Sequence, residues 1–233
     1  MLHQSKGIVL SAIKYGDSGF IVKILTQEHG LTAFLVQGVY GKRANIKPAA
    51  LQPLTLIDAV YYFKDNRQIQ RLKELKCQPV LVSTQSNVLK SALAIFCAEV
   101  ALKALQNQER DQQNFDFLYQ SILALEKAEG QLGQFAVDFL LNFSKPLGFF
   151  PQNGVGAHFY LDQGVFSNVF LAGNRMVLSE SLSQALKNAM FQQQIANGQQ
   201  RRELLDVLLL YYELHLEGFG MLKSLAVLKS TFN

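Results

Sequence analysis

The chain has 233 residues, 49% of them hydrophobic and 17% charged, which excludes a disordered protein and allows one large domain or two small ones. The net charge is only +4, but eleven of the 22 Lys and Arg and just five of the 18 Asp and Glu fall in residues 1–80. A basic excess confined to the first third suggests a polyanion-binding module joined to something else.

The first 80 residues read as strands. Ile8 to Tyr15 is the first, followed by the turn cluster Gly16-Asp17-Ser18-Gly19. Phe20–Thr26 is the second, Glu28-His29-Gly30 turns, and Leu31–Val39 is the third. A Gly- and Pro-rich loop follows, GVYGKRANIKPAALQP, holding Lys42, Arg43 and Lys47 with no acid among them. Leu54–Phe63 is the fourth strand, Lys64-Asp65-Asn66-Arg67 turns, and Gln68–Cys77 is the fifth. Apolar residues occupy both parities of these strands, so a flat one-sided sheet does not fit. Five short strands in this length suit a small closed barrel. The five-stranded Greek-key barrel is the OB-fold, a frequent oligonucleotide binder, and another small barrel or sandwich is the alternative.

Near Pro79 the apolar period changes to that of helices. Val88 to Val100 is one, and Phe117 to Leu125 a second with Asn114 or Asp116 as N-cap. Leu132 to Phe143 is a third, stopped by Pro146 and Gly148. Residues 150–178 read as a small hairpin insertion. Leu182–Met190, Arg201–Leu216 and Met221–Lys229 return to helix. The expected fold is therefore mixed β and α, with an OB barrel over 1–79 and a helical bundle with a β-hairpin insertion over 80–233.

Chemistry-bearing motifs are sparse. There is no phosphate loop, no GxSxG and no HExxH, and the acids of the basic module are scattered, so no enzyme is expected. Cys77 and Cys97 read as small apolar residues rather than a disulfide or ligands, and His3, His29, His158 and His215 show no metal spacing. The apolar part of MLHQSKGIVL is too short for a signal peptide, and Val207–Tyr212 is far below the ~20 residues of a membrane span, so a cytoplasmic protein is expected.

The cations are the better candidates: Lys14, Lys42, Arg43, Lys47, Lys64, Arg67, Arg71 and Lys73, with Arg71 and Lys73 on one strand face by parity. Aromatics lie among them, and cations for phosphates with aromatics for bases is the recipe for sequence-independent binding of single strands. Phe20 and Phe34 read as core, and Tyr40, beside the basic loop, as a stacking residue. Solubility alone is the competing reading of the loop.

VLSAIKYGDSGFIVKILTQEHGLTAFLVQGVYGKRANIKPAALQPLTLI resembles the N-terminal module of the RecO family of bacterial recombination and repair proteins. The resemblance rests on the order of a Y-x-[DE]-S-like turn, an LT-x-E-x-G turn, a V-x-G-V-x-x-K loop and an A-L-Q-P-L exit. The terminal YYELHLEGFGMLKSLAVL is also similar to that family. The resemblance implies binding of single- and double-stranded DNA, annealing of complementary strands, and recombinase loading with RecR on strands covered by single-stranded-DNA-binding protein, in the cytoplasm at the nucleoid. It implies no nucleotide hydrolysis. Many members carry a four-cysteine zinc module in the insertion. Here Phe149–Phe170 has no cysteine, and His158 with Asp162 cannot complete four ligands, so no zinc and no other cofactor is expected. The hairpin should instead be held by Phe159, Leu161, Val165 and Phe166. Tyr40 stands where the family commonly has Arg. Arg201, Arg202 and Lys223 are the basic candidates for the acidic tail of single-stranded-DNA-binding protein. An RNA binder without a repair role and an enzyme of unrecognised type are the rival readings.

Overall fold

The computed structural model describes residues 1–17, 19–39, 46–130, 132–169, 176–191, 193–195 and 197–231. The chain forms two compact units: Met1–Ala128 with Leu222–Asn233, and Glu129–Met221.

In the first unit, five strands close into a barrel: β1 (Leu2–Tyr15), β2 (Gly19–Thr26), β3 (Gly30–Val36), β4 (Leu56–Tyr62) and β5 (Ile69–Cys77), in the order β1-β2-β3-β5-β4. All neighbours are antiparallel except β3 and β5, where Ala33 to Leu35 run alongside Ile69 to Arg71. This is the expected OB arrangement. Closure depends on β1, which pairs with β4 along its first half and with β2 along its second. It is six residues longer at its start than the apolar pattern indicates, because between exposed Leu2 and Gly7 the strand carries only the polar residues His3 to Lys6. A bulge at Leu10, between the pairs Val9↔Ile24 and Ser11↔Lys23, bends the strand between its two partners. Gly7 sits where the strands crowd: a Cβ there would lie 2.8 Å from the Ile24 side chain and 3.2 Å from that of Ile57.

The barrel core is Val9, Val22, Ile24, Phe34, Val36, Ile57, Ala59, Tyr61 and Leu72, with Phe20 packed against it. Ile8 and Leu10 are also buried, and β1 packs on helix α2 (Val88–Leu105), which explains the apolar residues at both parities. A short helix without a periodic signal in the sequence, α1 (Val82–Ser86), precedes α2. Next comes α3 (Gln112–Lys127), whose N-cap is Asp111, accepting from Gln113 N at 2.7 Å, and not Asn114 or Asp116. The apolar pattern begins a turn inside the helix, which displaces the expected start. Glu126 of α3 reaches back to cap α1, its carboxylate accepting from Ser83 N, Thr84 N and Thr84 Oγ1 at 2.7–2.8 Å. Lys90 is buried and donates to Ser83 Oγ and the Glu126 carbonyl, both at 2.7 Å. The C-terminal helix α7 (Ser224–Thr231) packs on α2, with Glu99 accepting from Lys223 N and Ser224 N.

The second unit holds α4 (Phe135–Phe143), the hairpin β6 (His158–Tyr160) and β7 (Val165–Ser167), α5 (Glu180–Met190) and α6 (Gly198–His215). Tyr212 donates to the Leu140 carbonyl and Tyr211 to that of Phe149, both at 2.7 Å, and burial pushes the Tyr211 phenol up to about 12. The hairpin is packed by its own aromatics. Phe159 and Phe166 face each other with ring centroids 4.9 Å apart, and Leu161 is buried with them. Lys187 lies over the Phe166 ring and donates to the Gly156 carbonyl. Gly156 is required where it is, since a Cβ there would collide with the Ser167 backbone. His158 Nδ1 bonds to the Leu178 carbonyl at 3.0 Å, and Asp162 is exposed. Amide exchange protection at Phe159 and Phe166 should therefore be the same with and without chelator. Protection lost on chelation would show that an ion, not packing, holds the hairpin.

Candidate nucleic-acid interface

Among the described residues, the candidate cations of residues 1–79 fall on the turns and outer strand surface of the barrel. In an OB barrel the β1–β2 and β4–β5 connections border the ligand-binding strands. Lys14 and Tyr15 are exposed at the end of β1, running into the first of these. Lys64 and Arg67 are exposed in the second. That turn is clamped by Gln70, a residue that carries no signal in the sequence. Its amide is buried, accepts from Lys64 N at 3.0 Å and donates to the carbonyls of Lys64 and Arg67 at 2.9 and 2.8 Å. An amide satisfied on both its oxygen and its nitrogen fixes the turn backbone from which both cations project.

Arg71 is exposed on β5, where it lies opposite Tyr62 of β4 and beside Leu35 of β3. Tyr62 is 45% exposed, so a guanidinium and a phenol ring stand as neighbours on the outer surface. Tyr61, one residue earlier, is fully buried in the core. Lys73 is exposed like Arg71, with buried Leu72 between them, and the two-residue period breaks just after it, where Glu74 is exposed as well. The register passes from Val60↔Glu74 to Tyr61↔Leu72, leaving Lys73 as the extra residue of a β-bulge. Its ammonium lies 3.3 Å from the Glu74 carboxylate, an exposed pair worth about 0–1 kcal/mol that a phosphate can displace.

Tyr40, Lys42 and Arg43 lie outside the described residues. The flanks of their loop are described. Val39 and Ile46 are both buried in the barrel core, so the loop is anchored on either side. Lys47 follows immediately, exposed, as the residue before the short 3-10 helix Pro48–Leu51. The remaining candidates divide between the units. Arg201 donates to the Ile195 carbonyl and Arg202 is exposed in the second unit, whereas Lys223 is exposed in the first. Cys77 and Cys97 are free thiols, and burial pushes both upward, Cys97 most strongly. No described helix is long and apolar enough to cross a membrane.

The chain has a closed OB-type barrel followed by helices, an architecture common among oligonucleotide binders. It belongs to the RecO family: the profile "Recombination protein O N terminal" matches residues 1–79, and "Recombination protein O C terminal" matches 85–226. Proteins named DNA repair protein RecO are similar along their whole length. That of Azobacteroides pseudotrichonymphae is 32% identical with all of both chains covered. That of Flavobacterium psychrophilum is 32% identical over 99% of each, and that of Christiangramia forsetii 33% over all of both.

Proposed function

We propose that this chain is a recombination mediator that binds single- and double-stranded DNA, anneals complementary strands, and with RecR helps load recombinase onto strands covered by single-stranded-DNA-binding protein. The observation that carries this reading is the juxtaposition of Arg71 with exposed Tyr62, next to the turn in which Gln70 sets Lys64 and Arg67. A cation for phosphate beside a ring for a base suits a single strand read without regard to sequence. The division of labour proposed is DNA contact by residues 1–79, and contact with the acidic tail of single-stranded-DNA-binding protein by Arg201, Arg202 and Lys223 in 80–233. The working place is the cytoplasm, at the nucleoid.

Annealing in this scheme is electrostatic: cations screen the repulsion between two phosphate backbones, so no nucleotide is hydrolysed. The test is fluorescence anisotropy on a labelled single strand across a salt series. With about four to six phosphates neutralised, log K should fall by roughly 3–4 per tenfold rise in salt, at ~0.7 per contact. A flat salt response, or an absolute ATP requirement for annealing by this protein alone, would contradict it.

A further inference from the structure

Folding assembles a group that the histidine spacing does not show. His3, at the start of β1, meets Glu28 and His29 in the β2–β3 turn, and one donor atom from each lies within 4.8 Å of the other two. His3 Nδ1 is 2.9 Å from Glu28 Oε1. Two donors on one ion at ~2.0–2.2 Å stand about 3 Å apart, so this pair already has the separation a shared cation needs. Glu28 is partly exposed, so its carboxylate has room to swing toward the third donor.

The site is built rather than incidental. Backbone bonds fix the turn over β1: Gln27 N donates to the Lys6 carbonyl at 3.0 Å and Glu28 N to Ser5 Oγ at 3.2 Å. The His29 ring stacks on Phe63 with centroids 3.7 Å apart, and the His3 ring meets it edge-on at 4.7 Å. His29 Nδ1 is hydrogen-bonded to the buried Tyr61 hydroxyl at 2.8 Å, which fixes the ring, and the same nitrogen lies 3.9 Å from Glu28 Oε2. His3 and Glu28 line an open cleft of about 640 Å³, wide enough for water to complete the coordination.

We propose that His3, Glu28 and His29 bind one divalent transition-metal ion, such as Zn²⁺, and thereby pin the start of β1 to the β2–β3 turn. Two imidazoles and one carboxylate suit zinc, nickel, cobalt or copper, whereas magnesium and calcium favour all-oxygen sets. The proposed site is distinct from the four-cysteine module of the insertion, and it departs from the expectation of no metal drawn from histidine spacing.

The experiment uses the full chain without a histidine tag, stripped with chelator and titrated with Zn²⁺ by calorimetry. Wild type should take up about one ion, and Glu28→Gln and His3→Gln should each weaken binding roughly tenfold or more. Cobalt in place of zinc should broaden amide resonances most strongly at the start of β1, in the β2–β3 turn and at the adjoining Tyr61 to Phe63, a mapping that needs no variant. No uptake by wild type at millimolar Zn²⁺, undiminished uptake by the His3→Gln, Glu28→Gln double variant, or broadening centred elsewhere would each overturn the proposal.

Discussion

Reversal of charge at Lys42, Arg43 and Lys47 to Glu should weaken single-stranded DNA binding by roughly a hundredfold at ~0.1 M salt, since each lost contact removes ~0.7 from the slope of log K against log salt and ~0.1 M lies one decade below a ~1 M reference. The salt slope should drop by about two units for the same reason, and repulsion from the new carboxylates adds to the loss. The effect should be nearly uniform across DNA sequences, because phosphate contacts carry no base information. Anchoring of both loop flanks by buried Val39 and Ile46 favours this outcome, since an anchored loop loses less freedom on binding. Lys47 is exposed, so its replacement disturbs no packing and the melting temperature should scarcely move. Wild-type affinity and slope in the triple variant, measured by anisotropy with a thermal melt alongside, would dispose of the loop as a DNA grip. A collapsed melt would contradict the claim that the loop is peripheral to the barrel.

Glu126→Ala should be among the most damaging single changes outside the barrel core. It removes three hydrogen bonds to a carboxylate and leaves Ser83 N and Thr84 N at the start of α1 without acceptors. It also takes a counter-charge away from buried Lys90. Hydrogen bonds to a charged group are worth about 1.5–3 kcal/mol each at most, and solvent competes at this half-buried site, so a total loss of roughly 2–3 kcal/mol is expected. In a chain of this size that lowers Tm by about 4–12 °C. The pH dependence has a definite sign. Partial burial pushes the Glu126 carboxyl upward, but the bonds from Ser83 and Thr84 and the Lys90 charge more than offset it, so its value lies below the ordinary one. A carboxyl lowered on folding stabilises the native state above its unfolded value, and that contribution is lost as pH falls through the folded value. Wild type and Glu126→Ala should therefore differ in Tm at neutral pH and converge in acid. An unchanged Tm at neutral pH, or a gap that widens in acid, would refute this role.

The barrel is legible in the sequence because its strands are short, β-branched and separated by Gly, Asp and Asn turns, and because apolar residues at both parities mark strands covered on both faces. What is not legible comes from distant residues. Periodicity cannot reveal α1, a five-residue helix whose N-terminal amides are capped from Glu126, more than forty positions away. The first residues of β1 carry no apolar signal, because they are held by pairing with β4 and not by burial. Glu74 departs from parity because a bulge at Lys73 breaks the two-residue period without any Gly or Pro to announce it. Gln70 looks like an ordinary polar strand residue, and its turn-clamping amide depends on where the backbone of Lys64 and Arg67 comes to lie. His3 and His29 are separated by the whole of β1 and β2, so only the closed barrel makes them neighbours.

The most direct measurement is the rate at which complementary strands, each coated with single-stranded-DNA-binding protein, form duplex when this protein is added without nucleotide. Wild type should accelerate duplex formation strongly at low salt and progressively less as salt rises, and the Lys42, Arg43, Lys47 triple-Glu variant should accelerate it little. Duplex formation no faster than in the absence of the protein, or equal acceleration by the triple variant, would contradict annealing through the barrel's cations.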